Sequence, residues 1–200
     1  MTNTEDLRYV RTEAAIRAAF MKSVAEMPVS SVTVSAICRD ASISRNAFYL
    51  HHGSVLELYA TLIGELVDDV RAECLASAER RSLTGADDEF YGAIIGSLAR
   101  HERLLRALLP SDDGSLAKCL AEGLEEAFVE AALRFGEHGK SFDHRLNCAY
   151  SAWALIGLAT RWIAQTDQPL TESLARFRQL HASAVDVSVR YLMGEPNDVS

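Results

Sequence analysis

The chain has 200 residues, of which 48 % are hydrophobic, so it is long enough for one or two domains with an apolar core. Its formal net charge of −8 argues against a protein that coats nucleic acid without sequence preference. The charge is uneven, however, because residues 1–53 sum to +1 and the remainder to −9. Such a distribution suits a protein that approaches a polyanion with its N-terminal end only.

The N-terminal segment predicts a helix over about residues 9–27, because its apolar residues recur at helical spacing. That stripe comprises Ile16, Ala19, Phe20, Val24 and Met27. Pro28 follows it, and a short connector leads to the next element.

Residues 33–52 predict two short helices separated by a tight polar turn. Val34, Ile37 and Cys38 share one face of the first helix, which runs from Thr33 to Ala41. Hydroxyl side chains precede both helices, so Thr33 and Ser44 are expected to cap them. The second helix is predicted over about 45–52.

The second of these helices directs Ala47 and Phe48 inward and leaves polar side chains outside. Arginine prefers guanine edges and asparagine prefers adenine edges, while a helix N-terminus suits phosphate. The pattern therefore predicts a DNA-reading helix-turn-helix. Its predicted DNA-binding residues are Thr33, Ser44, Arg45, Asn46, Tyr49 and His51. The alternative is an ordinary helical hairpin with a solvated polar face.

Helical patterns continue through the rest of the chain. They predict a long helix from about Ser54 and further helices at 87–108, 115–135, 142–165 and 170–193. Alternating strand patterns and hairpin turns are absent from the sequence. The predicted fold is all-α, with an N-terminal three-helix domain at residues 1–53 and a helical dimerisation and ligand domain at residues 54–200.

The second predicted domain offers apolar and aromatic side chains for a ligand pocket, since such pockets are mostly apolar with few polar groups. The predicted wall comprises Phe90, Ile94, Leu98, His101, Leu105, Leu124, Phe128, Tyr150 and Trp153. The alternative is that these residues form plain core, as aromatic stripes at helical spacing usually do.

The last two predicted helices carry more apolar surface than a single copy would leave exposed, which predicts a homodimer. The predicted interface comprises Ile156, Gly157, Trp162, Phe177, His181 and Val185. The alternative is again that these side chains fill the core of one copy.

Several function classes find little support in the sequence. The four cysteines form no Cys-x-x-Cys pair, so a reducing cytoplasm is expected and a disulfide framework is not. No cofactor is expected. His138, His144 and Cys148 match no spacing that enforces zinc geometry. No phosphate loop or nucleophile elbow is present, so an enzyme is not expected. No secretory or membrane-spanning segment is visible.

Between Arg8 and about Leu58 the chain resembles the TetR family of transcriptional regulators, and most of all a subgroup that includes the dihydroxyacetone kinase regulators. The resemblance is carried by Arg11-Thr12, Ile16, Ala19, Val24, Val32-Thr33-Val34, Ile37, Ala41, Ser44-Arg45 and Phe48-Tyr49-x-His51. It implies base reading by Arg45 and Asn46 and phosphate contacts by Tyr49 and His51. It also implies a dimer interface of four helices, two from each copy.

Five positions depart from the family pattern, and two of them are His52 and Gly53, which replace an aromatic and a polar residue. Pro28 and Ser42 stand where glycine is common, and Val55 stands where many members have a phosphate-contacting lysine. The combined expectation is a cytoplasmic homodimeric repressor, released from a palindromic operator in double-stranded DNA by an unknown small molecule. The alternative is a co-activator or adaptor that acts mainly through a protein partner.

Overall fold

The computed structural model describes residues 3–84, 90–111, 113–135, 142–173 and 175–176. All regular structure within these residues is helical, which confirms the predicted all-α class. The helices are α1 (Asn3–Val24), α2 (Val34–Asp40), α3 (Arg45–Tyr49), α4 (Val55–Thr84), α5 (Phe90–Arg100), α6 (Glu102–Leu108), α7 (Ser115–Phe135) and α8 (Phe142–Gln165). Short 3-10 turns occur at Val29–Ser31 and Leu109–Ser111.

The described residues form two compact units. Unit 1 contains those of 3–64 and 104–111, and unit 2 contains those of 65–103 and 113–176. The predicted domain boundary at residue 53 falls just before α4, whereas unit 1 also includes the first ten residues of that helix and most of α6.

Unit 1 is built around side chains that are completely removed from solvent. Ile16 and Phe20 of α1, Ile37 of α2, Phe48 of α3 and Leu58 of α4 each have 0 % exposure. α1 packs on α2, and α2 packs on α3. Burial of side chains of this size stabilises a fold by about 1.5–3 kcal/mol each. The helical spacing of the apolar residues in the sequence therefore correctly predicts which face of these helices lies in the core.

Unit 2 is organised by α7, which packs along α8. Leu124 and Phe128 of α7 are buried, as are Cys148 and Ala152 of α8. α7 also approaches α4 closely at Gly123, where an added Cβ atom would lie 2.7 Å from Cγ1 of Val67. Glycine thus lets these two helices meet without a side chain between them.

Some element boundaries differ from those predicted. α1 begins at Asn3 and ends at Val24, so Met27 lies in the following turn and is 38 % exposed. The single helix predicted over 87–108 is interrupted at His101, whose N–H bonds to the Leu98 carbonyl only three residues back. Residues 87–89 and most of the helix predicted over 170–193 lie outside the described residues.

Within the described residues, no helix combines the length and apolarity needed to cross a bilayer.

Candidate nucleic-acid interface

Both helices of the predicted helix-turn-helix are capped as their sequence suggests. Oγ1 of Thr33 accepts a hydrogen bond from the Ala36 N–H at 3.2 Å. Oγ of Ser44 accepts one from the Ala47 N–H at 3.1 Å. Both residues are exposed, and each capping hydroxyl keeps its own hydrogen for donation to another group.

The turn between α2 and α3 closes through a Schellman motif. The Ile43 N–H donates to the Cys38 carbonyl at 3.0 Å, and the Ser42 N–H donates to the Arg39 carbonyl at 3.2 Å. Ser42 takes the left-handed conformation that this motif requires, with φ of 56°. Serine thus occupies the position where the resembled family commonly has glycine, and the turn still forms.

The start of α3 carries exposed polar side chains, as predicted. Arg45 and Asn46 are exposed, and Tyr49 is 54 % exposed beside the fully buried Phe48. Nη2 of Arg45 donates to Oγ of Ser35 at 2.6 Å, which holds the guanidinium against α2 and leaves its other N–H groups available. Ser35 was not among the predicted site residues, although it lies two residues after the α2 cap on the polar face.

His51 occupies a different position from the exposed edge that the sequence predicts. Its side chain is only 4 % exposed, and Nδ1 lies 3.0 Å from Oε2 of Glu13. The imidazole also stacks on the ring of Tyr9, with centroids 3.9 Å apart. In this arrangement the ring supports the structure behind α3 and offers little surface for the expected direct phosphate contact.

A second histidine completes a group that we call the Glu13 cluster, defined as Tyr9, Glu13, Arg17, His51 and His52. Nε2 of His52 lies 3.0 and 3.2 Å from the two carboxylate oxygens of Glu13, and Nε of Arg17 lies 2.5 Å from Oε1. Sequence reasoning missed this cluster, although its three α1 members follow one another at intervals of four residues.

The environment keeps Glu13 ionised. Burial opposes ionisation, but the hydrogen bond from Arg17 and the charge of His52 outweigh it, so the pKa of Glu13 lies below its ordinary value. Among the described residues no group of three or more histidine, cysteine or acidic side chains has an arrangement that could hold a metal ion.

A separate ion pair joins α1 to α2. Nζ of Lys22 lies 3.0 Å from Oδ2 of Asp40, and Nε of Arg39 lies 3.1 Å from Oδ1. The hydrogen bonds from Lys22 and then Arg39 lower the pKa of Asp40. The Lys22 and Arg39 side chains are exposed, and within the described residues Asp40 bonds to them rather than to α3, so this pair offers a comparison for the Glu13 cluster.

The structure does not bring the nine predicted pocket residues into one wall. Phe90, Ile94, Leu98, Leu124 and Phe128 are buried in unit 2, where the Phe90 and Phe128 ring centroids lie 5.8 Å apart. By contrast, His101 bonds to Asp69, and Tyr150 and Trp153 are 61 % and 47 % exposed. Leu105 is buried and belongs to unit 1. The buried residues agree with the alternative interpretation, in which they form hydrophobic core rather than the wall of a pocket.

A cavity of about 800 Å³ lies elsewhere in unit 2, around the C-terminal end of α8. Its lining comprises Leu158, Arg161, Trp162, Gln165, Thr166, Gln168, Glu172, Ala175 and Arg176. None of the predicted pocket residues belongs to this lining.

The described part of the predicted dimer interface divides between the two faces of α8. Ile156 is 2 % exposed and faces the core of unit 2, whereas Gly157 is exposed. Nε1 of Trp162 donates to the Gln168 carbonyl at 3.2 Å. Phe177, His181 and Val185 lie outside the described residues.

A largely apolar stripe runs along the outer face of α8, and we call it the α8 stripe. It comprises Leu146, Tyr150, Trp153 and Gly157, spaced by four, three and four residues. The first three are 58 %, 61 % and 47 % exposed. Large apolar side chains in such a row are unusual on the surface of an isolated copy.

Comparison with known proteins adds information on the fold. Neither a protein-family model nor a curated protein sequence matches the chain. Among solved structures, the dihydroxyacetone kinase operon activator DhaS is 14 % identical, with 88 % of this chain and 97 % of that chain covered and a TM-score of 0.59.

Two further solved structures are similar. The fatty acid degradation regulator FadR from Bacillus halodurans is 18 % identical, covers 93 % of this chain and 96 % of its own, and has a TM-score of 0.57. The TetR family repressor AlkX from Dietzia sp. is 21 % identical and covers 90 % of this chain and 95 % of its own, but its TM-score of 0.49 is too low to support an argument. The comparisons with DhaS and FadR confirm that the chain has the fold that the resemblance implies.

Proposed function

We propose that the chain is a DNA-binding transcriptional regulator of the TetR type, which reads base edges with the N-terminal end of α3. The observation that carries the proposal is the exposed Arg45-Asn46 pair at the start of a helix whose cap and preceding turn are both closed by hydrogen bonds. The shared fold with two solved regulators supports the same conclusion.

Each exposed side chain has a proposed role. The guanidinium of Arg45 would contact a guanine edge and the amide of Asn46 an adenine edge. The hydroxyl groups of Thr33, Ser44 and Tyr49 would donate to phosphates and so fix the register on the duplex. Because His51 is enclosed, we assign it to the support of α3.

Selection from a library of random-sequence duplexes tests this proposal and identifies the operator in the same experiment. The wild type should enrich a sequence, and Arg45→Ala should lose discrimination at one base pair of each half-site, at a cost of about 1–3 kcal/mol. Arg39→Ala, which removes an exposed arginine from α2, is the matched control and should keep the sequence preference. If Arg45→Ala selected the wild-type sequence with unchanged affinity, the reading role of Arg45 would be wrong.

We also propose that two copies associate through the α8 stripe and thereby present two α3 helices to a palindromic site. The proposed interface contains Tyr150 and Trp153 in place of the predicted Ile156, because Ile156 is buried within its own copy. Sedimentation equilibrium should show a dimer for the wild type and a monomer for Trp153→Glu. Leu83→Glu, at a leucine that is 80 % exposed on α4, should remain dimeric.

We further propose that the protein represses transcription in the cytoplasm and that a small molecule bound by unit 2 releases it from DNA. The cavity beside Trp162 has a volume within the range of small-molecule sites. Its mostly polar lining, with Arg161, Glu172 and Arg176, would suit a polar or charged compound. A reporter placed behind the selected sequence should be repressed by the wild type. Compounds that restore expression should lose their effect on Trp162→Ala.

The alternative of a co-activator is favoured by Val55, which supplies no lysine at the start of α4. Under that alternative the random library would yield no enriched sequence, and a pull-down with the chain would recover a protein partner.

A further inference from the structure

We propose that Glu13 is a positioning residue for the DNA-reading surface, because its carboxylate holds the C-terminal end of α3 through His51 and His52. The inference rests on the proposed function and deepens it, since Glu13 lies behind α3 and acts on DNA only through the placement of Arg45 and Asn46.

α3 depends on its surroundings for its orientation. It has only five residues, too few for a helix to be stable by itself. Its N-terminal end is held by the Ser44 cap, and its fourth residue, Phe48, is fully buried. At its C-terminal end the N–H groups of His51 and His52 both donate to the Phe48 carbonyl at 2.9 Å. Contacts that fix the positions of the two imidazoles therefore also fix the C-terminal end of α3.

The Glu13 carboxylate is the common partner of the two rings. Oε2 lies 3.0 Å from Nδ1 of His51 and 3.0 Å from Nε2 of His52, while Oε1 takes the bond from Arg17. Both imidazoles can donate these bonds in their neutral form, with the proton on the nitrogen that faces Glu13. The side chains of Glu13, His51 and His52 are only 19 %, 4 % and 6 % exposed, so water is poorly placed to replace a lost bond.

The chemistry of the site favours a carboxylate over its isosteric amide. Three donors converge on Glu13, from Arg17, His51 and His52. Glutamine offers one acceptor oxygen and turns an NH₂ group toward the remaining donors. A bond from that NH₂ group requires the imidazole that faces it to change tautomer, and the negative charge that attracts Arg17 is lost. The glutamine variant should therefore loosen the end of α3 while changing the size of the side chain little.

A loosened α3 should affect specific and non-specific binding differently. Base contacts require the side chains of α3 to be in register with the groove, whereas phosphate contacts are largely independent of sequence. A residue that only stabilises the fold would instead lower the fraction of folded protein and weaken both kinds of binding together. The ratio of the two affinities therefore separates positioning from simple structural support.

The test compares Glu13→Gln with the wild type and with Asp40→Asn, which breaks the exposed α1–α2 ion pair. Affinities are measured at one salt concentration for the duplex that the wild type selects and for a scrambled duplex of equal length. Glu13→Gln should bind the selected duplex about tenfold more weakly, as expected for the loss of one base contact. Its affinity for the scrambled duplex should stay near the wild-type value, and Asp40→Asn should match the wild type on both.

His52 provides a second pair of variants that does not depend on the folding of Glu13→Gln. His52→Gln can still donate to Glu13 from its amide and should retain the selected-duplex affinity, whereas His52→Leu cannot and should lose it about as much as Glu13→Gln. Proton NMR provides a readout without DNA. The protected imidazole N–H signal of His51 should persist in Asp40→Asn and disappear in Glu13→Gln.

The outcomes separate this inference from the proposed function. A wild type that selects no sequence overturns the proposed function. A wild type that selects a sequence, with Glu13→Gln and His52→Leu binding it as tightly as Asp40→Asn does, overturns only the positioning role. Equal losses on the selected and the scrambled duplex also overturn it, because they indicate structural support alone.

Discussion

Glu13 is the residue whose environment is most unusual in unit 1, since one partly buried carboxylate serves two histidines and an arginine. The sequence around Glu13 does not predict this role, because His51 and His52 are 38 and 39 residues away along the chain. Helical periodicity groups neighbours three or four residues apart and contains no information on such distant partners. The caps at Thr33 and Ser44, by contrast, are local and were predictable.

The Glu13 cluster should make stability depend on pH in acid. The pKa of Glu13 is lower in the folded protein than its ordinary value of 4.5, so its stabilising effect is complete above about pH 4.5. The effect is lost as the pH falls through the lowered pKa, because the folded state must then take up a proton.

This dependence can be measured by urea unfolding of the wild type and Glu13→Gln between pH 7 and pH 3. Near pH 6 the variant should have a lower free energy of unfolding by about 1–3 kcal/mol, as expected when hydrogen bonds to a charged acceptor are lost. The difference should shrink below pH 4.5. A difference that grew as the pH fell would contradict the assigned ionisation of Glu13.

At the scale of elements, the sequence predicts that the helices exist, but it predicts less well where they end and which of their faces point to solvent. α3 ends at Tyr49 rather than His52, because the His51 N–H bonds to the Phe48 carbonyl three residues back, as in a 3-10 turn, and so interrupts the α-helical pattern. α8 has apolar residues around much of its circumference, so spacing alone could not decide that Ile156 faces inward and Tyr150 outward. Only packing against α7 resolves that choice.

The contact between α4 and α7 predicts a reversal in the effect of one substitution. Gly123→Ala should lower the free energy of unfolding by about 1 kcal/mol, because the new methyl group collides with the stiff Val67 side chain. In a Val67→Ala background the same substitution should raise it by about 0.5–1 kcal/mol, since alanine favours helix more than glycine does. Urea unfolding of the four proteins checks both signs. A loss of stability in both backgrounds would place the strain elsewhere.

At the scale of the whole molecule, the described cysteines are free thiols in contrasting environments. Cys38, Cys74 and Cys148 are buried, and burial raises the pKa of all three, that of Cys148 to about 12. Cys119 is exposed on α7. Buried, protonated thiols react slowly with alkylating agents, which attack the thiolate.

Native protein treated briefly with iodoacetamide at pH 8 should therefore gain a single adduct, and peptide mass spectrometry should locate it at Cys119. Cys119→Ser should gain none under the same conditions, and unfolded wild type should be modified at all four cysteines. Rapid labelling of Cys74 in the native protein would mean that the core of unit 2 opens readily.

The proposed pairing through the α8 stripe also determines how the amount of paired protein depends on gene dosage. If only paired copies occupy the operator, then at total concentrations below the dimer dissociation constant their abundance follows the square of the total chain concentration. Halving synthesis of the chain would leave about a quarter of the paired form. Three bulky side chains on one helix would thus sharpen the response of the regulated promoter to expression level, before any inducer acts.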